Sequence, residues 1–369
     1  MKILVTGSNG FVGKNLVAEL KNKGYDNILE FSRESEKSLL DQYAKECDFV
    51  FHLAGVNRPQ DESEFMDGNF GFTSELLDLL KKHNNTSPIV ITSSIQADKN
   101  NQYGISKKAV EDLMFAYREQ TQEKVYIYRL PNLFGKWCKP NYNSVVATFC
   151  HNIARGIEIQ ISNPQTELTL CYIDDVLEEF LKALEGSPTQ NSDFCYVPKD
   201  YNIKLGELAD KLYAFSNNRE TLIMPSLKNE FDKVLYGTFL SYLEEDKFSY
   251  KLKKNVDNRG WLAEFIKSDN MGQIFISKTK PGITRGNHWH HTKVEKFLVI
   301  QGEAVIKFRK IGTDEVLEYK VNGETPEVVD IPVGYTHSIV NNGLEDVITL
   351  FWASEIFDQS KPDTYYLEV

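Results

Sequence analysis

The sequence predicts two domains of different class: an α/β domain with a doubly wound parallel sheet and a small substrate lobe, then an all-β double-sheet barrel. A glycine-rich turn joins the first apolar strand to a helix, and short apolar strands then alternate with helical stretches. Beyond the charged segment 244–259, helical patterns nearly vanish and short strands follow one another between Gly, Pro and Asn turns. Because 369 residues are long for one domain, we expect domains at 1–245 and 246–369.

The composition indicates an ordinary globular protein with an acidic surface. The formal net charge is -11 and the pI about 5.3, which argues against nucleic acid or an anionic membrane as partner. No stretch approaches the ~20 apolar residues of a membrane-spanning helix, and the N-terminus lacks the pattern of a signal peptide. The five cysteines include no C-x-x-C pair, which predicts reduced thiols in a cytoplasmic protein.

The glycine-rich turn after residues 2–6 predicts a Rossmann-type dinucleotide site. Gly7 permits the sharp turn, Gly10 lets the backbone approach a pyrophosphate, and Gly13 lets helix and strand pack closely. The helix N-terminus offers free N–H groups and the positive end of its dipole to the phosphate. The residues expected to contact the cofactor here are Gly7, Asn9, Gly10, Phe11, Val12 and Gly13.

The ends of the next two strands bear on the choice of cofactor. The strand at 27–31 ends in Ser32-Arg33, where an NAD site usually carries an acid for the ribose 2′-OH. A hydroxyl and a guanidinium favour a 2′-phosphate instead, so we expect NADPH; the alternative is that Arg33 is only an exposed loop residue. After the strand at 48–53, Leu53 and Ala54 are expected beside the cofactor, because small residues there leave room for it.

A serine pair and a Y-x-x-x-K motif form the candidate catalytic group of the first domain. The strand at 88–94 ends in Ser93 and Ser94, and Tyr103 and Lys107 lie four apart on one face of a following helix. Tyrosine has an unperturbed pKa of ~10, and a neighbouring ammonium lowers it because it favours the phenolate. Moving the pKa to near 7 would take about 4 kcal/mol of differential stabilisation. Such a group could protonate a carbonyl while a nicotinamide delivers hydride.

These motifs together resemble the extended short-chain dehydrogenase/reductase family, whose members mostly act on nucleotide sugars. The resemblance implies a cofactor-site role for Asn69, identifies Ser94 as the catalytic serine with Ser93 as rival, and places substrate specificity after residue 135. The gap between Ser94 and Tyr103 is shorter than in many members, which leaves the pocket more open. We expect substrate contacts at Arg58, Ser94, Asn132 and Arg155. The matching positions are Gly7, Gly10, Gly13, 52–55, Asn69, 92–94, Tyr103, Lys107, 129–135 and 172–176.

Four residues near the C-terminus predict a metal site. His288, His290 and Glu295 follow the order H-x-H-x₄-E, and residues two apart on a strand point to the same face. With His337 they supply three imidazoles and one carboxylate, a plausible first shell for Zn²⁺, Fe²⁺, Mn²⁺ or Ni²⁺. A chance cluster of histidines is the minority interpretation, because four of the seven histidines lie within fifty residues.

The spacing around these residues resembles the two motifs of the cupin family. Residues 282–302 match the first motif throughout, and 332–341 match the second except that Pro326 replaces its leading glycine. The resemblance implies a cupin (jelly-roll) barrel and a divalent metal, with zinc the expected ion. Some cupin sugar epimerases work without metal and use a histidine as the base, and on that interpretation His290 or a neighbour removes the proton. His291, Glu264 and Tyr335 are further candidates for the general base.

A carbonyl reductase fused to a cupin suggests consecutive steps on one intermediate. A 4-keto group makes the hydrogen at C3 removable, so epimerisation must precede the reduction that destroys the ketone. Over its whole length the chain resembles bifunctional nucleotide-sugar enzymes of capsular polysaccharide biosynthesis. That resemblance implies a UDP-4-keto-6-deoxy-N-acetylhexosamine substrate on the route to UDP-N-acetyl-L-fucosamine, 3-epimerisation by the cupin domain, NADPH-dependent C4 reduction to the L-talose product, and a homodimer.

Two other functions remain open at this point. The cupin domain could be a structural or dimerising module attached to a single-step NADPH-dependent reductase, in which case deleting it would leave the chemistry intact. Alternatively, the first domain could be an epimerase or dehydratase that retains NAD, but Ser32-Arg33 argues against it.

Overall fold

The computed structural model describes residues 1–59, 61 and 63–369. The chain forms two compact units, residues 1–213 with 234–244 and residues 214–233 with 245–369. The division into domains 1–245 and 246–369 stays a prediction, and the compact units differ from it in the placement of 214–233. None of the described helices combines the length and apolar character needed to span a membrane.

The first unit is built on a seven-stranded sheet with the order β2-β1-β3-β4-β5-β9-β8, in which only the β8–β9 pair is antiparallel. A second sheet, β10-β7-β6, belongs to the smaller lobe. The strands are β1 (Ile3–Thr6), β2 (Ile28–Phe31), β3 (Phe49–His52), β4 (Ile89–Ser94), β5 (Val125–Leu130), β6 (Asn132–Phe134), β7 (Glu167–Tyr172), β8 (Gln190–Asn191), β9 (Phe194–Cys195) and β10 (Tyr201–Lys204).

Helices cover both faces of the large sheet, which confirms the Rossmann-type prediction. The α-helices are α1 (Phe11–Asn22), α2 (Lys37–Glu46), α3 (Ser63–Phe65), α4 (Phe72–Lys82), α5 (Gln102–Thr121), α6 (Val145–Ala154), α7 (Ile173–Leu184), α8 (Leu205–Thr221) and α9 (Glu230–Leu240). Buried leucines, valines and aromatics of α1 and α7 pack on one face, and those of α2, α4 and α5 pack on the other. The strand order reverses between β1 and β3, the place where such sheets bind ligands beyond the strands' carboxyl ends.

Two stretches of this unit form structure that their local sequence does not suggest. Residues 158–163 alternate polar and apolar residues like a strand but form irregular structure that ends in a turn, with Thr166 N–H bonded to Asn163 O. The strand of this region is β7, which finds partners in β6 and β10. Asn69 does not begin a helix, because helical turns start at Ser63 and Asn69 lies inside a π-helix, Met66–Gly71.

The second unit contains two antiparallel sheets, ordered β11-β12-β13-β20-β15-β18 and β17-β16-β19-β14-β21. Its described residues 248–369 contain strands but no helix, as the sequence predicts, and the cupin assignment stays a prediction. Buried residues from strands of both sheets, such as Phe297 and Ile306, share one core cluster. The strands are β11 (Lys254–Asp257), β12 (Gly260–Ser268), β13 (Gly272–Thr279), β14 (Thr284–Trp289), β15 (Glu295–Gln301), β16 (Glu303–Lys310), β17 (Val316–Asn322), β18 (Val328–Ile331), β19 (Tyr335–Val340), β20 (Val347–Ala353) and β21 (Tyr365–Tyr366).

Candidate active site and metal site

The glycine turn between β1 and α1 is sterically closed to side chains. Gly7 has φ +69°, and a Cβ there would lie 2.7 Å from the Ala54 nitrogen. A Cβ on Gly13 would lie 2.2 Å from the Gly7 oxygen. Among the described residues no side chain caps α1, which begins at Phe11, so its first N–H groups remain for a ligand. This cradle fits the diphosphate of a dinucleotide.

The C-terminal end of β2 lies beside the glycine turn, and the polar side chains found there form a corner that bears on the choice of cofactor. Glu30, the acid of β2, pairs with Lys21 at 3.2 Å. Ser32 and Arg33 follow the strand, and Arg33 is exposed. The Asn9 amide donates to the Glu34 carboxylate at 3.3 Å, a contact between the glycine turn and this corner that the sequence analysis missed.

Asn69 clamps the loop that follows β3. Its Oδ1 accepts a hydrogen bond from Val56 N–H at 2.8 Å, and its Nδ2 donates to the Val56 carbonyl at 3.2 Å. The same amide donates to the Ser106 hydroxyl on α5 at 3.0 Å. These contacts give Asn69 a positioning role between the loop after β3 and α5, and its direct contact with the cofactor stays a prediction. Leu53 and Ala54 begin the loop it holds.

His52 forms a buried hydrogen-bond network that the sequence analysis did not single out. Thr73 Oγ1 donates to Asn69 O at 2.6 Å, so it accepts from His52 Nε2–H at 2.9 Å. The other ring nitrogen, Nδ1, therefore accepts from the Thr6 hydroxyl at 2.8 Å. Burial, with a smaller contribution from the Lys107 charge, lowers the pKa of His52 to about 3. The neutral ring thus ties the carboxyl ends of β1 and β3 to the segment carrying Asn69.

Ser94, Tyr103 and Lys107 converge at the carboxyl end of β4. Tyr103 lies in the first turn of α5, and the Ser94 side chain lies close enough to its hydroxyl to act against the rise of its pKa. The Lys107 ammonium lies 5.9 Å from the centre of the Tyr103 ring and donates to the Thr92 carbonyl at 3.1 Å. The three side chains predicted to act together are therefore neighbours.

Their electrostatics differ from the expectation. Burial raises the pKa of Tyr103, and the Ser94 side chain opposes this only in part. Burial also lowers the pKa of Lys107 to about 8, although the Glu111 carboxylate acts in the opposite direction. The expected lowering of the tyrosine pKa by the ammonium is not found, because desolvation dominates at both groups.

Ser93 points away from this group. Its hydroxyl donates to Glu111 Oε1 at 2.6 Å, and the Arg129 guanidinium binds both oxygens of the same carboxylate at 2.8 and 2.6 Å. Successive residues of a strand face opposite sides of the sheet, which separates the two serines. The sequence analysis did not name Glu111, which lies four residues beyond Lys107 on α5. This spacing places both residues on one helix face and could have indicated its role.

His288, His290, Glu295 and His337 form a cluster in the second unit. One ligand atom from each residue lies within 4.8 Å of those of the others. Glu295 Oε2 lies 3.4 Å from Nε2 of both His290 and His337. His288 and His337 sit opposite each other on β14 and β19, whereas His290 lies just beyond the end of β14 rather than within a strand as expected.

The donors of this cluster suit a divalent cation. Nε2 of His290 and both ring nitrogens of His337 are buried without a hydrogen-bond partner of normal geometry. Burial by itself would raise the pKa of Glu295, but the contacts with His290 and His337 hold it well below its ordinary value. Burial, followed by the His337 charge, lowers the pKa of His288 to about 4. One carboxylate beside three imidazoles is a set of donors that suits a shared divalent cation.

Comparison with known proteins agrees with this architecture. Residues 3–203 match the NAD dependent epimerase/dehydratase family, and residues 255–365 match a polysaccharide biosynthesis C-terminal domain. A Pseudomonas aeruginosa protein, UDP-2-acetamido-2,6-beta-L-arabino-hexul-4-ose reductase, is 46% identical over 100% of this chain and 99% of its own length.

Solved structures also match this chain over 100% of both chains. One is the capsular polysaccharide assembling protein CapF from Staphylococcus aureus, with 50% identity and a TM-score of 0.94. The chain therefore belongs to the CapF-like branch of the NAD dependent epimerase/dehydratase family. The second structure is CapF with the inhibitor 3-isopropenyl-tropolone, with 46% identity and a TM-score of 0.90.

The candidate substrate residues of this CapF-like chain have diverse surroundings. Arg58 is exposed on the loop after β3. Asn132 is exposed at the start of β6 and donates to the Thr169 carbonyl at 3.3 Å. The Arg155 guanidinium donates to the carbonyls of His151 at 3.1 Å and Tyr242 at 3.0 Å, contacts that hold the end of α6. Arg155 therefore has structural partners, and its contact with substrate stays a prediction.

The three candidate general bases of the second unit have different surroundings. Glu264 lies on β12 and pairs with Lys267 at 2.8 Å. His291 is exposed and packs edge-on against Trp289, with ring centres 4.4 Å apart. Tyr335 begins β19 and packs partly buried against the core.

Proposed function

We propose that this CapF-like chain is a bifunctional nucleotide-sugar enzyme of capsular polysaccharide biosynthesis. Its cupin domain epimerises C3 of a UDP-2-acetamido-2,6-dideoxy-4-hexulose, and its reductase domain reduces C4 with NADPH to the UDP-2-acetamido-2,6-dideoxy-L-talose product. The observation that carries the reductase step is the Ser94–Tyr103–Lys107 group at the sheet edge that bears the glycine turn. The names of the Pseudomonas aeruginosa and CapF relatives support the substrate class and the biosynthetic setting.

In the reductase step the chain's own residues manage one proton. A bound nicotinamide supplies the hydride to C4. Tyr103 donates its proton to the C4 oxygen while Ser94 hydrogen-bonds the same atom. The Lys107 ammonium, whose pKa of about 8 leaves it mostly charged at neutral pH, stabilises the phenolate that remains. The ketone thereby gains one hydride and one proton and becomes an alcohol.

NADPH is the proposed form of the cofactor. Support comes from Ser32 and Arg33 at the end of β2 and from Glu30, whose carboxylate already pairs with Lys21. The nearby Glu34 is bonded to Asn9 and is the one feature of this corner that would favour NAD. Comparing NADPH with NADH as hydride donor tests the assignment directly.

The epimerase step is proposed for the cluster of the second unit. His288, His290, Glu295 and His337 would hold a divalent cation, zinc in our proposal, which would supply Lewis acidity for the removal of the C3 proton. A base then removes the C3 proton, and a proton returned to the opposite face inverts this centre. Buried imidazole nitrogens facing a carboxylate support the metal assignment. The tropolone bound to CapF, with its adjacent keto and hydroxyl oxygens, also suits a cation.

Assembly and location complete the proposal. Homo-oligomers with twofold symmetry are the commonest, and we propose a homodimer. The five cysteines are buried and free, which supports the reducing environment of the cytoplasm.

The decisive experiment follows the C3 proton by NMR in D₂O with the full metal-loaded chain, first without and then with NADPH. We expect exchange at C3 without NADPH and reduction at C4 after its addition. Tyr103→Phe should abolish reduction and keep exchange, whereas His290→Ala should abolish exchange. Reduction without any exchange would leave a single-step reductase with a structural second domain.

A further inference from the structure

The C-terminal segment 363–367 lies along the strand that carries the first metal-ligand candidate. β21 pairs with β14 at His288 and Trp289, and Leu367 N–H donates to the Asn287 carbonyl at 3.0 Å. Asn287, with φ 59°, is the extra residue of a β-bulge between Gly286 and His288. The bulge re-aims the strand so that His288 faces His337, and the C-terminal segment closes the open edge of that bulge.

Asp363 contacts the second ligand candidate through its backbone. Its carbonyl oxygen accepts a hydrogen bond from Nδ1–H of His290. This bond places the ring proton on Nδ1, so the Nε2 lone pair points toward the carboxylate of Glu295, 3.4 Å away. A carbonyl partner of this kind fixes both the tautomer and the ring orientation of a metal-binding histidine.

The Asp363 side chain holds the turn between His290 and Glu295. Its carboxylate accepts hydrogen bonds from the N–H groups of His291 at 2.9 Å, Thr292 at 2.7 Å and Lys293 at 2.9 Å. The Thr292 hydroxyl adds a fourth at 2.9 Å, and the Lys293 ammonium donates to the neighbouring Thr364 hydroxyl at 2.9 Å. One residue thus fixes the turn with its side chain and the His290 ring with its main chain.

We propose that segment 363–367 is the positioning element of the metal site, with Asp363 as the residue that sets the affinity of the cluster for a divalent cation. The inference rests on the proposed metal function and deepens it. Charge-assisted hydrogen bonds to three consecutive N–H groups are stronger than neutral ones. Loss of the carboxylate therefore weakens the hold on the turn after His290. The main-chain carbonyl of residue 363 remains, but its position relative to the His290 ring is no longer fixed.

The test compares Asp363→Asn with a matched control, Asp358→Asn, in the full chain. Asp358 lies in the same C-terminal stretch. Its carboxylate accepts hydrogen bonds from the Ser360 N–H at 2.8 Å and the Ser360 hydroxyl at 2.7 Å, and these bonds do not involve the turn that follows His290. Zinc affinity is measured by competition with a chromophoric chelator. We expect Asp363→Asn to weaken zinc binding about 10- to 100-fold and Asp358→Asn to leave it unchanged.

A second readout separates positioning from general destabilisation. Zinc that binds only the folded chain stabilises it by RT ln(1 + [Zn]/Kd), so weaker binding gives a smaller rise in unfolding temperature. The zinc-induced rise should therefore shrink in Asp363→Asn even when its metal-free unfolding temperature equals that of Asp358→Asn. Thr292→Val, which removes one of the four bonds to Asp363, should reduce affinity in the same direction by less than about tenfold. It also keeps the inference testable if Asp363→Asn fails to fold.

The outcomes distinguish the two proposals. Wild-type and Asp363→Asn chains that bind zinc equally would overturn the positioning role while leaving the metal site intact. A folded wild-type chain that binds no zinc would overturn the metal site itself, and the inference with it.

Discussion

Gly13→Ala tests whether the turn before α1 needs glycine for steric reasons. The added Cβ would lie 2.2 Å from the Gly7 oxygen, a backbone atom, so the turn must move by about 1 Å to reach an ordinary contact. Such overpacking costs about 1–3 kcal/mol, and the higher helix propensity of alanine returns about 0.5–1 kcal/mol. We expect a net loss of about 0–2.5 kcal/mol in unfolding free energy. NADPH binding should weaken about tenfold or more, because the first-turn N–H groups shift.

The control is the same substitution inside another helix. Gly237 lies in α9, where a Cβ would meet nothing within 4 Å. Gly237→Ala should therefore stabilise the chain by about 0.5–1 kcal/mol and leave cofactor binding unchanged. Urea unfolding and fluorescence titration with NADPH measure both quantities. A Gly13→Ala chain with wild-type stability and NADPH affinity would refute the steric reasoning.

Three further predictions concern the first unit. Ser94→Ala should lower kcat of the reduction about 100-fold, whereas Ser93→Ala, which removes only a bond to Glu111, should leave kcat near wild type; equal losses would contradict the assignment. The pKa of His52 is about 3 in the folded chain and 6.5 when unperturbed. The folded state therefore has its full stability above pH 6.5 and loses part of it as the pH falls toward 3, because the unfolded chain takes up the proton first. Urea unfolding should show a loss of about 2 kcal/mol in the free energy of unfolding between pH 6.5 and 5. His52→Gln should abolish this pH dependence, and an unchanged pH dependence in the variant would show that His52 is not its cause. Arg129→Met leaves the fully buried Glu111 without its bidentate partner and should cost about 3 kcal/mol in urea unfolding. A loss below about 1 kcal/mol would show that Ser93 and the Lys108 ammonium, 3.7 Å from Glu111 Oε2, satisfy the carboxylate without Arg129.

The sequence by itself determined the features that depend on neighbours in the chain. The glycine spacing identifies the turn before α1, because a Cβ at Gly13 would collide with the Gly7 oxygen of the same turn. The four-residue spacing of Tyr103 and Lys107 places them on one helix face. The family resemblance also carried over correctly, since the CapF relatives match the whole chain. Short-range geometry and motif order suffice for such predictions.

Only the tertiary structure decided which side chains have which partners. Ser93 and Ser94 are adjacent in sequence, yet Glu111 and Arg129 engage one and Tyr103 the other. The π-helix around Asn69 and the grouping of 214–233 with the second unit have no local signal that we recognised. The pKa of Tyr103 rises because burial outweighs the nearby ammonium, and burial is a property of the packed fold. Asp363 reaches the turn after His290 from 73 residues away, a contact that pleated-sheet pairing creates and that spacing along the chain cannot predict.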